Sequence, residues 1–429
     1  MLRHVFCAAI AAALSGPVLA AEPVNDQRLK DIEKRLDRIE TTPAPAPSNP
    51  TTSAGSFNPA ISLILSGLYT NLSQDPANYH ITGFPVAAGA EIGPGQRGFS
   101  LAESELGVYA NIDHYFYGGM AFSIHPDDSV SAEEAFIQTT ALPSGFVVKA
   151  GRFFSGVGYQ NSQHAHVWDF VDAPLAYQAF LGTQFGDDGV QVKWLAPIEL
   201  FLELGAEIGR GRAFPATNRD KNGAGAGTVF AHVGGDVGIS HSWRAGLSML
   251  STSPQGRAFS DPEASGSAVN SFSGDTRLWI ADFVWKYAPN GNPTHTNFKL
   301  QGEYFRRHES GDLTYDSDGA LGLTNTDAYT ATQSGWYLQG IYQFMPYWRV
   351  GLRTERLERG SVDYTSNSAN LTQPSFNPSK HSVMVDYSPS EFSRVRVQFA
   401  RDDSRQGLTD NQVFVQYQMS LGAHGAHQF

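Results

Sequence analysis

Two histidines, His164 and His166, stand just ahead of two aspartates, Asp169 and Asp172, in the run H-A-H-V-W-D-F-V-D. Imidazole and carboxylate together suit zinc or nickel, so this quartet is the first chemistry to weigh. The same spacing arises on loops whose polar side chains only meet water, so His164 and His166 enter as candidate ligands for a metal, zinc foremost, and no more. A second pair, His424 and His427, lies in the tail. The run Asn218-Arg219-Asp220-Lys221-Asn222-Gly223 imitates the start of a calcium loop, but Val229 occupies the twelfth position, where a bidentate Glu is required. There is no G-x-S-x-G, no H-E-x-x-H and no G-x-x-x-x-G-K-[ST]. Neither an enzyme nor a resident cofactor is therefore expected.

The remaining candidates are charged residues whose meaning depends on the segments that carry them. Glu103, Glu105, Glu199, Glu203 and Glu207 come early; Arg349, Arg353, Arg394 and Arg396 come late. The chain of 429 residues is 41% apolar and 17% charged, the composition of a folded, non-repetitive protein. Its formal net charge of -12 argues against nucleic acid as a partner. Residues 1–20 place Arg3 and His4 before an apolar run and end in Val-Leu-Ala, the pattern of a secretory signal peptide. The single cysteine, Cys7, falls inside that run, which leaves the mature chain no disulfide framework. No later stretch is long and apolar enough for a transmembrane helix; a closed β-barrel is the other structure that satisfies every backbone polar group in lipid.

From residue 58 to 429 the dominant signal is alternation. About sixteen segments approach the length of a tilted membrane strand. They fall at 60–70, 100–112, 115–124, 131–141, 145–153, 189–195, 198–209, 228–240, 243–251, 276–287, 297–307, 335–344, 348–358, 381–387, 392–401 and 412–421. Connections alternate between short, such as Asp113-His114 and Ala196-Pro197, and long, such as 154–188, 252–275, 308–334 and 359–380. That parity is the pattern of short periplasmic turns and long outer loops. The expected fold is all-β, a transmembrane antiparallel β-barrel of about sixteen strands. Ahead of it, residues 21–40 carry Leu29, Ile32, Leu36 and Ile39 at a and d positions, a short periplasmic coiled-coil helix of a kind that favours trimers or higher. Residues 41–57, with Pro43, Pro45, Pro47 and Pro50, make an extended linker.

Period two then assigns faces. Ile198, Leu200, Leu202, Leu204, Ala206 and Ile208 share the lipid side, which turns Glu199, Glu203 and Glu207 to the lumen. Glu103 and Glu105 point inward on the second segment, and Arg349, Arg353, Arg394 and Arg396 on late ones. The aromatic-rich connection 154–188 is long enough to fold inward as a third loop, setting Asp169 and Asp172 opposite the four arginines at a constriction. Acids facing bases across a pore carry a transverse field that orients polar solutes; the same residues could instead merely hydrate the lumen or pair across strands. The partners expected are outer-membrane lipid, small hydrophilic solutes or ions, and further copies of the chain in a homotrimer.

Four segments also carry a family likeness. A-G-R-F-F-S-G-V-G-Y, H-A-H-V-W-D-F-V-D-A-P-L-A-Y-Q, F-G-D-D-G-V-Q-V-K-W-L-A-P and V-Q-Y-Q-M-S-L-G-A-H-G-A-H resemble proteobacterial outer-membrane porin-like proteins. That family is similar in layout to the phosphate-selective porin O and P group, and some members are labelled zinc-regulated outer-membrane proteins. The resemblance implies a trimeric barrel in the outer membrane of a Gram-negative bacterium, and passive diffusion of solutes rather than catalysis. A zinc-binding, zinc-uptake or receptor-like barrel is the alternative. Phosphate-selective members carry a basic ladder, whereas this lumen mixes Glu with Arg, so phosphate specificity does not follow.

Overall fold

Alternating polarity calls for a pleated backbone, and nearly every alternating segment is a strand in the computed structural model, which describes residues 59–86, 90–262 and 268–422. The expected signal segment, coiled-coil helix, Pro-rich linker and tail histidines lie outside the described residues. The first half comprises β1 (Ala60–Leu72), β2 (Gly98–Leu101), β3 (Ser104–Asn111), β4 (Phe116–Ile124), β5 (Val130–Thr139), β6 (Phe146–Phe154), helix α1 (Leu175–Leu181), β7 (Gly186–Leu195), β8 (Phe201–Gly209) and β9 (Ala226–Val237). Then follow β10 (His241–Thr252), β11 (Arg257–Ser260), β12 (Val269–Tyr287), β13 (Asn297–Tyr315), β14 (Asn325–Met345), β15 (Trp348–Asp363), β16 (Ser379–Ser390), β17 (Ser393–Arg405) and β18 (Leu408–Gly422).

All pairings are antiparallel, and β1 pairs with β18 from Ser62↔Gly422 to Leu72↔Gln412, so the sheet closes on itself without an edge. β2 and β3 both pair with β1 and form one stave broken at Ala102 and Glu103. β11 likewise continues β10 along β12. Counting each broken stave once gives a 16-strand barrel, as the alternation predicted. Every backbone group of a closed ladder is paired, which is what lipid demands.

The strands run further than the alternation indicated. β12 to β15 span 19, 19, 21 and 16 residues and occupy much of what was read as the outer loops 252–275, 308–334 and 359–380. The outward face of β13 explains this: Phe298, Leu300 and Tyr304 give way to Arg306, His308, Ser310 and Asp312 while the pairing with β12 and β14 continues. β12 makes the same change between Trp279 and Arg277. Above the lipid both faces of a strand can be polar, so alternation ends before the strand does.

The interior also departs from the uniformly polar lumen expected. Leu250, Leu278, Ile280, Phe305, Tyr337 and Leu357 point inward and are buried against α1, whose residues are all buried. Ile81 and Phe84 of the first outer loop join the same cluster. At these positions the inward face is apolar because protein, not water, fills this part of the barrel.

Candidate functional site

The connection between β6 and β7, residues 155–185, lies inside the barrel, and its neck is stitched shut by one side chain. The amide of Asn161 donates to the carbonyls of Ser155 and Phe185 at 2.8 Å each, and its oxygen accepts from the Phe185 N–H at 2.8 Å. Two wall carboxylates then receive the descending chain. Glu207 accepts from the Gly156 N–H at 2.8 Å and the Ser155 hydroxyl at 2.5 Å. Glu303 accepts from the N–H groups of Tyr159 and Gln160 at 3.0 Å, and from the hydroxyls of Tyr177 and Tyr337 at 2.9 and 2.6 Å. Gly158, at φ +67°, leaves room for this cluster, since a Cβ there would collide with the Glu303 carboxylate and the Tyr177 hydroxyl. Glu303 was not singled out from the sequence, although the alternation of Gln301, Glu303 and Arg307 marks it as inward.

At the tip, the loop aspartates meet the basic wall directly rather than across open water. Asp169 pairs with Lys299 and with Arg349 at 3.2 Å, while Arg349 also holds Asp386 at 2.5 Å. Asp172 pairs with Arg353 at 2.8 Å and Lys380 at 2.6 Å, and accepts from the Gln398 amide at 2.8 Å. Arg394 and Arg396, expected opposite the aspartates, bind main-chain carbonyls instead: Arg394 donates to His166 and Arg396 to Trp168, both at 2.8 Å. The cause is the inserted loop, which puts peptide oxygens where a transverse field would have crossed the pore. Burial alone would raise the pKa of both aspartates, but Lys299 and Arg349 beside Asp169, and Lys380 and Arg353 beside Asp172, hold them well below the ordinary carboxylate range. Phe170 lies under the Arg353 guanidinium at 4.5 Å, and the Leu175 N–H donates to Glu355 at 2.5 Å, so the start of α1 is fixed to the same wall. The helix ends at Gly182 in the left-handed conformation, φ 63°.

The early strands present a different surface. Inward-facing Glu105 on β3 lies 2.9 Å from His164 Nδ1 and 3.1 Å from His166 Nδ1. His164 Nδ1 is also 3.0 Å from Glu133, and its Nε2 is 3.2 Å from Glu134. Successive residues of a strand normally face opposite ways, but β4 and β5 lose register here: Ala121 faces Glu134 and Phe122 faces Ala132, with Glu133 the extra residue. This β-bulge lets both glutamates reach one imidazole. Burial disfavours charge on His164, yet hydrogen bonds to Glu105, Glu133 and Glu134 outweigh it and hold its pKa well above the ordinary imidazole value. Glu103 sits at the break between β2 and β3, next to Glu133. Glu203 faces inward but pairs with Lys193 at 2.9 Å and His232 at 3.1 Å, away from the loop tip. Glu199 is not on a strand: it is exposed in the turn before β8, because Pro197 delays the start of that strand to Phe201.

Around the loop the inward side chains are buried on both sides of the barrel, from Ser66, Ser123 and Gln412 to Leu278, Tyr337 and Gln398. The arrangement is chemically a plug held by reversible contacts, apolar and ionic on one side and polar on the other.

No family model matches the chain. Among solved structures, the barrel is similar to a loop L8 deletion mutant of OmpT, an outer membrane protein of Vibrio cholerae, with a TM-score of 0.51 and 12% identity over 84% of this chain and 98% of that one. It is also similar to DcaP, an outer membrane channel of Acinetobacter baumannii, with a TM-score of 0.50 and 10% identity over 84% of this chain and 96% of the other. At such identity the likeness is one of fold. In sequence, an uncharacterized protein of Aquifex aeolicus is 31% identical over 433 residues, covering 92% of this chain and 84% of that protein. With that identity along nearly its whole length, the chain belongs to the same family as the Aquifex aeolicus protein.

Proposed function

We propose that the protein is an outer-membrane channel for small hydrophilic or ionic solutes, with passage governed by the third loop. The observation that carries this reading is the seating of residues 155–185 inside a closed barrel, where the loop is held against the wall by side-chain contacts that can be broken without unpairing a strand. The route runs on the side of β1, β3, β4 and β18, where small or uncharged polar residues such as Ser62, Ser66, Ser123, Gln412 and Gln416 face the loop side. Water and ions pass polar walls more readily than the apolar packing around α1. The description of DcaP as an outer membrane channel agrees with this assignment and with residence in the outer membrane of a Gram-negative cell.

Assembly as a trimer belongs to the same reading. On the outward face of β3 to β6, Ala110, Gly118, Ala135 and Ala150 are small, which lets another barrel approach closely. The seam of Leu29, Ile32, Leu36 and Ile39 supplies a second contact.

Planar-bilayer recording of the purified protein tests the proposal. Small, salt-dependent steps are expected for the parent and larger ones for the double variant Asp169→Ala/Asp172→Ala, with openings grouped in threes. A folded barrel that conducts in neither form would exclude a channel.

A further inference from the structure

Among the described residues, one group brings three metal-ligating side chains of different segments to a point: Glu105 of β3 with His164 and His166 of the third loop, their ligand atoms all within 4.8 Å of one another. We propose that these residues form a binding site for a divalent transition-metal ion, with zinc as its natural probe.

Three features of the geometry point to a metal. First, the ligand atoms are spaced for one: 2.9 Å and 3.1 Å separate the two Nδ1 atoms from Glu105 Oε2. The edge of a tetrahedron around zinc, with bonds of about 2.0–2.1 Å, is roughly 3.3 Å, so small shifts complete the set. Second, the other ring nitrogen of His164 meets Glu134 at 3.2 Å. With a metal in place of the proton on Nδ1, the Nε2 N–H would still donate to Glu134, the arrangement typical of metal-bound histidine. Third, charge accumulates: Glu105, Glu133 and Glu134 converge on two imidazoles, and Lys149 offsets only part of it. A divalent cation balances such a pocket better than the single proton of an imidazolium. Glu133, 3.0 Å from His164 Nδ1, stands beside the position a fourth ligand or a water would take. Mixed imidazole and carboxylate donors select zinc, nickel or copper over magnesium and calcium, which prefer oxygen alone.

The β-bulge at Glu133 belongs to the same construction. Without the extra residue, Glu133 and Glu134 would lie on opposite faces of β5, and only one could approach His164. Bound metal would tie the first part of the loop to β3 and β5, neither of which contributes a residue to the buried apolar cluster around α1.

Calorimetric titration of the full chain, purified without a polyhistidine tag and stripped with chelator, provides the test with zinc chloride alone. One zinc per chain is expected, with affinity falling at least about 100-fold in Glu105→Gln and His166→Gln, and about 10–100-fold in Glu134→Gln, which acts only by positioning His164. The double variant His424→Gln/His427→Gln should bind as the parent does. Cobalt supplies a second readout, since its visible absorption bands report a tetrahedral nitrogen and oxygen site and should vanish in His166→Gln. Heat-modifiable migration on gels confirms that each variant is a folded barrel. Absence of saturable zinc binding in the tail variant, or unchanged binding in folded His166→Gln, would overturn the assignment. Neither result depends on conductance, so the site can fail while the channel stands, and the reverse.

Discussion

The two sides of the lumen hold the third loop by different physics. Against β12 to β16 the loop buries α1 on Leu278, Ile280, Phe305, Tyr337 and Leu357, and locks Asp169 and Asp172 into ion pairs. Against β17, β3 and β5 it offers main-chain carbonyls to Arg394 and Arg396, and two imidazoles to a cage of carboxylates. The first attachment is large, dry and insensitive to small displacements. The second is directional and answers to protons and cations. A loop anchored on one side and adjustable on the other can move as a hinged flap without leaving the barrel.

Substitutions can break this contrast, beginning with the anchored side. Asp172→Ala leaves Arg353 to Glu355 and Lys380 to Asp402 but removes the loop's own carboxylate from both cations, and is expected to weaken the attachment by about 3 kcal/mol. Faster proteolytic cleavage within residues 155–185 and larger single-channel steps would report it. A loop that stayed protected would mean that apolar packing alone suffices.

Acid probes the same contacts without mutation. The pKa values of Asp169 and Asp172 are depressed in the folded protein, so their contribution is fully present above the unfolded carboxylate value of about 3.9 and is lost as pH falls through the lower folded values. Protection of the loop should therefore persist to about pH 4 and fall only in stronger acid. Limited proteolysis by an acid-active protease across that range checks the sign; release already at pH 5 would contradict it.

On the adjustable side the effects are smaller. Arg394→Ala removes charged donors to the His166 carbonyl and Gln418, and should cost about 1.5–3 kcal/mol, seen as noisier conductance with the loop still protected. Smallest is Lys193→Ala, far from the loop tip, where a partly exposed pair with Glu203 contributes about 0.2–1 kcal/mol. Its gel-shift temperature and conductance should match the parent, and a large change in either would locate a second attachment at this level.

Much of the frame was legible in the sequence because period two is a geometric necessity of strands. The facing of Glu203 and Glu207, the parity of turns and the long connection at 154–188 all follow from it. The rule weakened where its physical premise did. Beyond the lipid, Arg306 and His308 replace outward apolar residues, so β13 read as shorter than it is. Inside, Leu278 and Phe305 face protein instead of water, and at such positions an apolar side chain gives no signal of direction. Glu199 was misplaced because alternation extends across a turn as easily as along a strand. The meeting of Glu105, Glu133 and Glu134 with His164 depends on a bulge and on distant segments, for which sequence offers only a hint, the two consecutive glutamates that interrupt alternation in β5. Glu303 needed the loop's path before its role could be seen.

The change of character along β12 and β13 also works as a waterline. Phe283 and Tyr304 float in oil, Trp279 and Arg306 pair across the two strands at its surface, and Arg277 and His308 ride just above it. If the hull settled deeper by two residues, about 7 Å along each strand, arginines would enter hydrocarbon at a cost that climbs toward about 2–4 kcal/mol apiece near the midplane. If it rose, tryptophan and phenylalanine would be stranded in water. The barrel therefore has a fixed draught, and its tall side, β12 to β15, stands above the membrane as a freeboard, so that whatever approaches the mouth meets a wall on one flank and a low sill on the other.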